Sequence, residues 1–190
     1  METLHEYLER LSSREPVPGG GSAAALVAAL GAALVEMVGR ISDAPADVLT
    51  RAQSLREAAL AARERDERAF SAVIEAQALP KSTDAEKAAR REALESALRG
   101  AAAEPLHAAS LALDVLRLSR ELTALQTRAL ASDVGCAAEF GAAALAACAY
   151  NVRVNHRYMK DETAIRAQAA TLESYENEGT KILGDVRSRL

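Results

Sequence analysis

Thirteen small apolar residues, from Ala23 to Val35, follow directly on Pro16-Val17-Pro18-Gly19-Gly20-Gly21-Ser22. A helix that is apolar on every face must be buried on every face. The stretch from Ser22 to Ile41 therefore predicts a central helix with others packed around it. Its interior Gly31 and Gly39 cost helix propensity, and close approach of neighbouring helices is the physical reason to keep them. The segment ahead of it is equally constrained. Proline fixes φ and removes a donor, glycine opens backbone conformations closed to other residues, and Ser22 is expected to cap the helix. The product is a helix N-terminus whose free N–H groups and positive dipole end a ligand can approach closely. A plain linker leading into a capped helix is the competing structural reading.

The rest of the composition points the same way. Hydrophobic residues make up 49% of the 190, but aromatic residues only 3%, and Trp is absent. A core built from Ala, Leu and Val rather than large rings favours closely packed helices. The length suits a single domain over residues 1–190. A formal net charge of −4 gives no electrostatic case for nucleic acid, which calls for a basic face. Cys136 and Cys148 are too few for a disulfide framework and sit in Ala-rich helical patterns, so a reduced, cytoplasmic protein is expected. The acidic start lacks the basic-then-apolar order of a secretory signal. The apolar runs, ending at Glu36 and Asn151, are expected to be too short to span a bilayer.

Along the chain, Leu4, Tyr7, Leu8 and Leu11 recur at helical spacing and predict a short first helix. After the break Ser42-Asp43-Ala44-Pro45, a long helix is expected from Leu49 to Leu79, its charges largely a solvated face. Leu79-Pro80-Lys81-Ser82-Thr83-Asp84 is a second break with a capping signal, and a polar helix from about Ala85 to Leu98 follows. Gly100 and Pro105 bracket the start of a separate apolar helix to about Leu122, since proline is best tolerated in a first turn. A second helix apolar all round is expected from Ser132 to Tyr158, capped by Ser132 or Asp133, and an amphipathic one from Glu162 to Arg187. No period-two pattern or fixed repeat interrupts this. The predicted fold is all-α, an up-and-down antiparallel bundle around two buried Ala/Gly-rich helices.

Several chemistries lack their residues. The glycine loop has no Gly-Lys-Ser/Thr ending and no preceding strand, so nucleotide binding is unsupported. His5, His107 and His156 form no local ligand pair with a cysteine, so no metal site is expected, and there is no Gly-x-Ser-x-Gly elbow. Acid/base chemistry is what remains.

The segment Glu15-Pro16-Val17-Pro18-Gly19-Gly20-Gly21-Ser22-Ala23-Ala24-Ala25 resembles the opening motif of the formimidoyltetrahydrofolate cyclodeaminase and methenyltetrahydrofolate cyclohydrolase family. Later pieces agree in order: Asp66-Glu67-Arg68-Ala69-Phe70, Leu79-Pro80-Lys81, Glu104-Pro105-Leu106, Ser132-Asp133-Val134-Gly135 and Asn151-Val152-Arg153-Val154-Asn155. Each is weak alone, while the ordered set is specific. The resemblance implies a homodimeric enzyme of folate one-carbon metabolism that takes a tetrahydrofolate derivative as substrate and holds no permanent cofactor. In one such reaction a folate nitrogen displaces ammonia from the formimidoyl carbon; in the other, water adds to the methenyl carbon. Both need proton transfer at a tetrahedral carbon.

Matched against those motifs, Lys81, Asp66 and Asp133 are the candidate catalytic residues. Gly19, Gly20, Gly21, Ser22, Asn151, Asn155 and Arg153 are the candidate substrate-binding residues. Each has a structural alternative: a solvent-exposed loop lysine, a member of a charge run, an N-cap, a loop that merely turns the chain, amides bonded to each other or between helices, a solvated helix end. Asn151 and Asn155 stand four apart and share one helix face. Asp133 and Asn151 would lie about 27 Å apart on a straight helix, so they cannot both touch one carbon. Family members resemble Gly-Lys-Lys after the second helix where this chain reads Gly39-Arg40, and Thr127-Arg128-Ala129-Leu130-Ala131 also departs from them. A guanidinium stays protonated and is a poor proton carrier. That departure motivates an alternative, a non-catalytic folate-binding or scaffolding dimer.

Overall fold

The structure, a computed structural model, describes residues 2–125 and 128–190; Thr127 of the loop noted above lies outside the described residues. It consists of α1 (Leu4–Leu11), α2 (Gly20–Ile41), α3 (Ala46–Ala78), α4 (Asp84–Leu122), α5 (Ala131–His156) and α6 (Glu162–Arg189), with a 3-10 turn at Arg128–Leu130, and no strand among the described residues. Capping boxes start α1 and α4: Thr3 and Thr83 each accept from the backbone of a glutamate three residues on, Glu6 and Glu86, whose carboxylates return the bond. α2 ends in a left-handed Asp43, φ 50°, after which the Ala44 N–H reaches back to the Gly39 carbonyl at 2.8 Å. Aspartate tolerates that conformation better than most residues.

Short links make successive helices antiparallel neighbours. α4 packs against α2, α3, α5 and α6, α2 against α3, α4 and α5, and α5 against α2, α4 and α6, so the expected two central helices share the middle of the bundle with α4. Their small residues allow this. A Cβ at Gly31 would stand 2.8 Å from Val115 Cγ1, and one at Gly141 would stand 3.0 Å from the Ala112 carbonyl oxygen. Around them lies a core of Ala, Val and Leu, with Ala32, Val35, Leu113 and Val152 fully buried. A smaller cluster of Val73, Leu98, Ala101, Ala102 and Met159 joins the later part of α3 to the early part of α4.

Two expectations fail here for identifiable reasons. Pro105 does not begin a helix: it lies inside α4, which runs unbroken for 39 residues. Proline removes the N–H that would bond to the carbonyl four residues earlier, that of Ala101. Asn155 of α5 supplies the missing donor, its Nδ2 standing 2.8 Å from the Ala101 oxygen. The two apolar stretches are also not too short for a bilayer. α2 and α5 are long and apolar enough to cross one, because Glu36 and Asn151 fall within the helices rather than ending them. Here α2 is mostly buried within the bundle while α5 leaves one face exposed, and Glu36 is held by Arg40 at 2.6 Å and Arg56 at 3.0 Å.

This repair has a measurable signature. Asn155→Leu should cost about 1–3 kcal/mol in urea unfolding by orphaning a buried carbonyl. In a Pro105→Ala background, where the restored N–H takes the Ala101 carbonyl, the cost should shrink by more than about 0.5 kcal/mol. Strict additivity would contradict the repair.

Candidate functional site

A cleft of about 250 Å³ opens where α2 begins, lined by Pro16, Val17, Gly19, Gly20 and Gly21, by Asp66 and Phe70 of α3, Ala101 of α4, and Asn151, Val154 and Asn155 of α5. Eight lining residues were candidates from sequence alone or from the loop that carries them: the glycines, Asp66, both asparagines, Pro16 and Val17. They come from three separate segments, the glycine loop running into α2, α3 and α5.

The three glycines do different jobs. None has a positive φ, so the loop is not there for backbone freedom. A Cβ at Gly19 would meet nothing, one at Gly20 would touch Asn151 at 3.4 Å, and one at Gly21 would collide with the Asp66 carboxylate. Gly21 is the position that lets α3 press a carboxylate against the start of α2. The N-cap is Gly19, which has no side chain to offer; in the first turn of α2 the Ser22 N–H donates to the Asp66 carboxylate, and the N–H groups of Gly20 and Gly21 have no cap side chain.

Ser22 is not the cap. It is the third residue of α2 and fully buried, its hydroxyl 3.0 Å from Tyr7 Oη and donating to Glu67 Oε1 at 2.9 Å. Glu67 in turn accepts from Arg10 at 2.6 Å, and the Arg63 guanidinium lies over the Tyr7 ring at 4.8 Å. This network ties α1, α2 and α3 together behind the glycine loop and holds the loop's far end in place. Tyr7 carried only a helical-spacing signal in the sequence.

Asp66 is the group whose chemistry the fold changes most. Burial pushes its carboxyl up to about 6; the Ser22 backbone N–H opposes this, and the charges of Glu104 and Glu67 add to it. Glu104 is itself paired with Arg65 at 2.9 Å. Behind Asp66, burial and that same carboxylate push the Cys148 thiol up to about 12, so it stays a neutral apolar group. Facing Asp66 are the asparagines. Asn151 Nδ2 donates to the Ala147 carbonyl at 2.9 Å, and Asn155 Nδ2 donates to Ala101 and, at 3.0 Å, to the Asn151 carbonyl. Among the described residues no group of three or more His, Cys, Asp or Glu could hold a metal ion.

The remaining candidates lie elsewhere in the chain. Lys81 is exposed in the turn after α3, which runs 12 residues beyond Asp66, about 18 Å at 1.5 Å per residue. Asp133 is neither at the cleft nor a cap: Leu130 is the N-cap of α5, and Asp133 stands in its first turn without a capping bond. Ser132, exposed in that same first turn, is not the cap either. Arg153, two residues from Asn151 and so turned away from it, pairs with Glu176 of α6 at 2.6 Å. Arg40 sits at the far end of α2, about 30 Å along the helix from Gly20. Phe70, Ala101 and Val154 were not singled out as site residues, since apolar residues at helical spacing read as core.

The glycine geometry predicts a graded series. Gly19→Ala should be within about 0.5 kcal/mol of wild type and Gly20→Ala tolerated, whereas Gly21→Ala should cost about 1–3 kcal/mol because Asp66 must move. Thermal unfolding of the three variants checks this; an innocuous Gly21→Ala would show that the carboxylate is not held there.

The chain matches the Formiminotransferase-cyclodeaminase family over residues 3–174. It is 35% identical over 182 residues to a methenyltetrahydrofolate cyclohydrolase of Methylorubrum extorquens, covering 90% of this chain and 88% of that protein. It is 31% identical to the formimidoyltransferase-cyclodeaminase of Mus musculus, covering 98% of this chain but only 37% of that longer protein. Its structure superposes on that of a formiminotetrahydrofolate cyclodeaminase from Thermotoga maritima with a TM-score of 0.87 at 26% identity, covering 100% of this chain and 96% of the other. Six helices in this order, a glycine loop meeting Asp66, and sequence matches that run nearly the full length make the chain a member of the formiminotransferase-cyclodeaminase family.

Proposed function

We propose that this protein is a folate one-carbon enzyme acting on the carbon between the two reactive nitrogens of a reduced folate, as a cyclohydrolase or a cyclodeaminase. The observation that carries the proposal is Asp66, a carboxyl raised to about 6 at the floor of a cleft, beside a helix start whose N-cap has no side chain and opposite two fixed amides. A group poised near neutrality serves both reactions. In cyclohydrolysis it takes a proton from the water that adds to the methenyl carbon; the tetrahedral adduct then opens as one C–N bond breaks, the hydroxyl losing its proton to become the formyl carbonyl and the departing nitrogen gaining one. In cyclodeamination it takes the proton of the attacking nitrogen and returns one to the departing ammonia. The apolar Phe70 and Val154 offer surfaces for a flat pterin, and holding the reacting groups together supplies part of the rate.

The non-catalytic alternative loses its main support. Arg40, where relatives of this type are expected to carry lysine, lies at the opposite end of α2 and is engaged with Glu36, so its identity takes nothing from the cleft of the same chain.

We also propose a cytoplasmic homodimer. Ligand sites commonly measure about 300–1,000 Å³, so a cleft of about 250 Å³ holds one end of a folate and leaves the rest for another surface. The turn bearing Lys81 projects beyond the cleft of its own chain, which leaves a partner subunit's cleft as the one it could serve. Two unpaired cysteines suit a reducing compartment.

Asp66→Asn should lower turnover at least 100-fold, on methenyltetrahydrofolate or on formimidoyltetrahydrofolate, while tetrahydrofolate affinity stays within a few-fold. Because the ionised form is the base, wild-type kcat/KM should rise with pH through about 6. Absence of turnover on both substrates at high enzyme concentration would overturn the enzymatic assignment.

A further inference from the structure

We infer that Asn151 and Asn155 determine which edge of the substrate enters the cleft: their fixed amide oxygens accept from, and so seat, the N–H-bearing pyrimidine edge of the pterin, its 2-amino group and N3–H. This goes beyond the folate assignment above and rests on it.

A backbone carbonyl can only accept, so an amide beside one must turn its nitrogen toward it. Asn155 commits both of its N–H groups in this way, to Ala101 and Asn151, while Asn151 commits one to Ala147 and keeps the other. The donor that Asn155 gives to Ala101 is committed because Pro105 has no N–H for that carbonyl. Among the described residues neither Oδ1 atom has a hydrogen-bond partner. Among the described residues the side-chain polar atoms that are both sealed and unpartnered are Ser42 Oγ and Arg63 Nε, so the two amide oxygens open onto the cleft they line. Pro105 is therefore a positioning residue, acting through Ala101 to fix the Asn155 amide.

The donors of the site sit on the other element. Gly20 faces Asn151 and Gly21 faces Asp66, so the N–H groups of Gly20 and Gly21, which no side chain caps, lie beside the amide wall, next to the carboxylate that takes the Ser22 N–H. A ligand edge complementary to this wall carries N–H donors with a carbonyl oxygen next to them. The 2-amino-4-oxopyrimidine ring of a pterin has that order: 2-amino and N3–H toward the amide oxygens, the 4-oxo group toward the helix start, where the dipole favours negative charge. Asp66 is then left for the proton chemistry. A formimidoyl nitrogen is another N–H donor of the same substrate, and the experiment separates the two.

Affinities of wild type and Asn151→Leu are measured by anaerobic calorimetry for tetrahydrofolate, for an analogue with methyl in place of the 2-amino group, and for formimidoyltetrahydrofolate. Asn151→Leu suits the test because the one bond it loses is to a carbonyl within its own helix. We expect the substitution to weaken tetrahydrofolate at least tenfold, the analogue to bind wild type at least tenfold more weakly than tetrahydrofolate, and the substitution to leave the analogue within about twofold. Pro105→Ala should weaken tetrahydrofolate about threefold without lowering stability in parallel. Equal losses for tetrahydrofolate and the analogue would overturn the inference. So would a loss confined to the formimidoyl derivative, which would assign the amides to the departing nitrogen. Wild type that binds none of the three would overturn the folate assignment together with it; wild type that binds all three, with Asn151→Leu unchanged, would overturn this inference alone.

Discussion

The contact between Asp66 and the first turn of α2 is the constraint on which the site depends. It requires a residue without a side chain at position 21, a helix start without a side-chain cap, and a long α3 that carries a carboxylate to the right height. Burial at that contact raises the carboxyl, although the Ser22 N–H there lowers it. Burial costs the charged form more than one backbone N–H and the helix dipole return. Such a group destabilises the fold once ionised, because the unfolded chain ionises it earlier: stability from this source is full below about pH 4 and is lost as pH rises toward 6. The Tyr7–Ser22–Glu67–Arg10 chain and the packing of α1 offset that cost from behind.

A second local sacrifice completes the cleft. Pro105 breaks the hydrogen-bond ladder of α4 in a buried region, which helices seldom tolerate unless a neighbour repairs them. Asn155 makes the repair, and in doing so fixes its own amide. One backbone defect thus ties α4 to α5 and leaves Asn155 Oδ1 facing the cleft. Both sacrifices converge on one cavity, which is the pattern expected where local rules of folding yield to function.

Much of this was legible in the residues. The apolar helices α2 and α5, the capping signal ahead of α4 and the four-residue spacing of the asparagines were legible, but burial on every face was not borne out: α2 leaves Leu30, Met37 and Ile41 exposed, and α5 leaves Phe140, Tyr150 and Val154 exposed. The convergence of Gly20, Gly21, Asp66, Asn151 and Asn155 followed from motif order rather than from chemistry. What could not be read was tertiary. Pro105 looked like a helix start because its rescuer is 50 residues away. Ser22 looked like a cap because its real partners, Tyr7 and Glu67, are on other helices. Lys81 and Asp133 matched motifs, but helix rise alone carries them away from the cleft of their own chain.

The central claim is that Asp66 is a proton carrier tuned by burial at the place where the folate binds. Site-resolved carbon NMR of the aspartate carboxyls, with Asp66→Asn to assign the signal, reads its titration in the free protein and with tetrahydrofolate bound. The account predicts a midpoint near 6 in the free protein and a displaced midpoint in the complex. A midpoint in the ordinary aspartate range, about 4, that does not move when the ligand binds would contradict it.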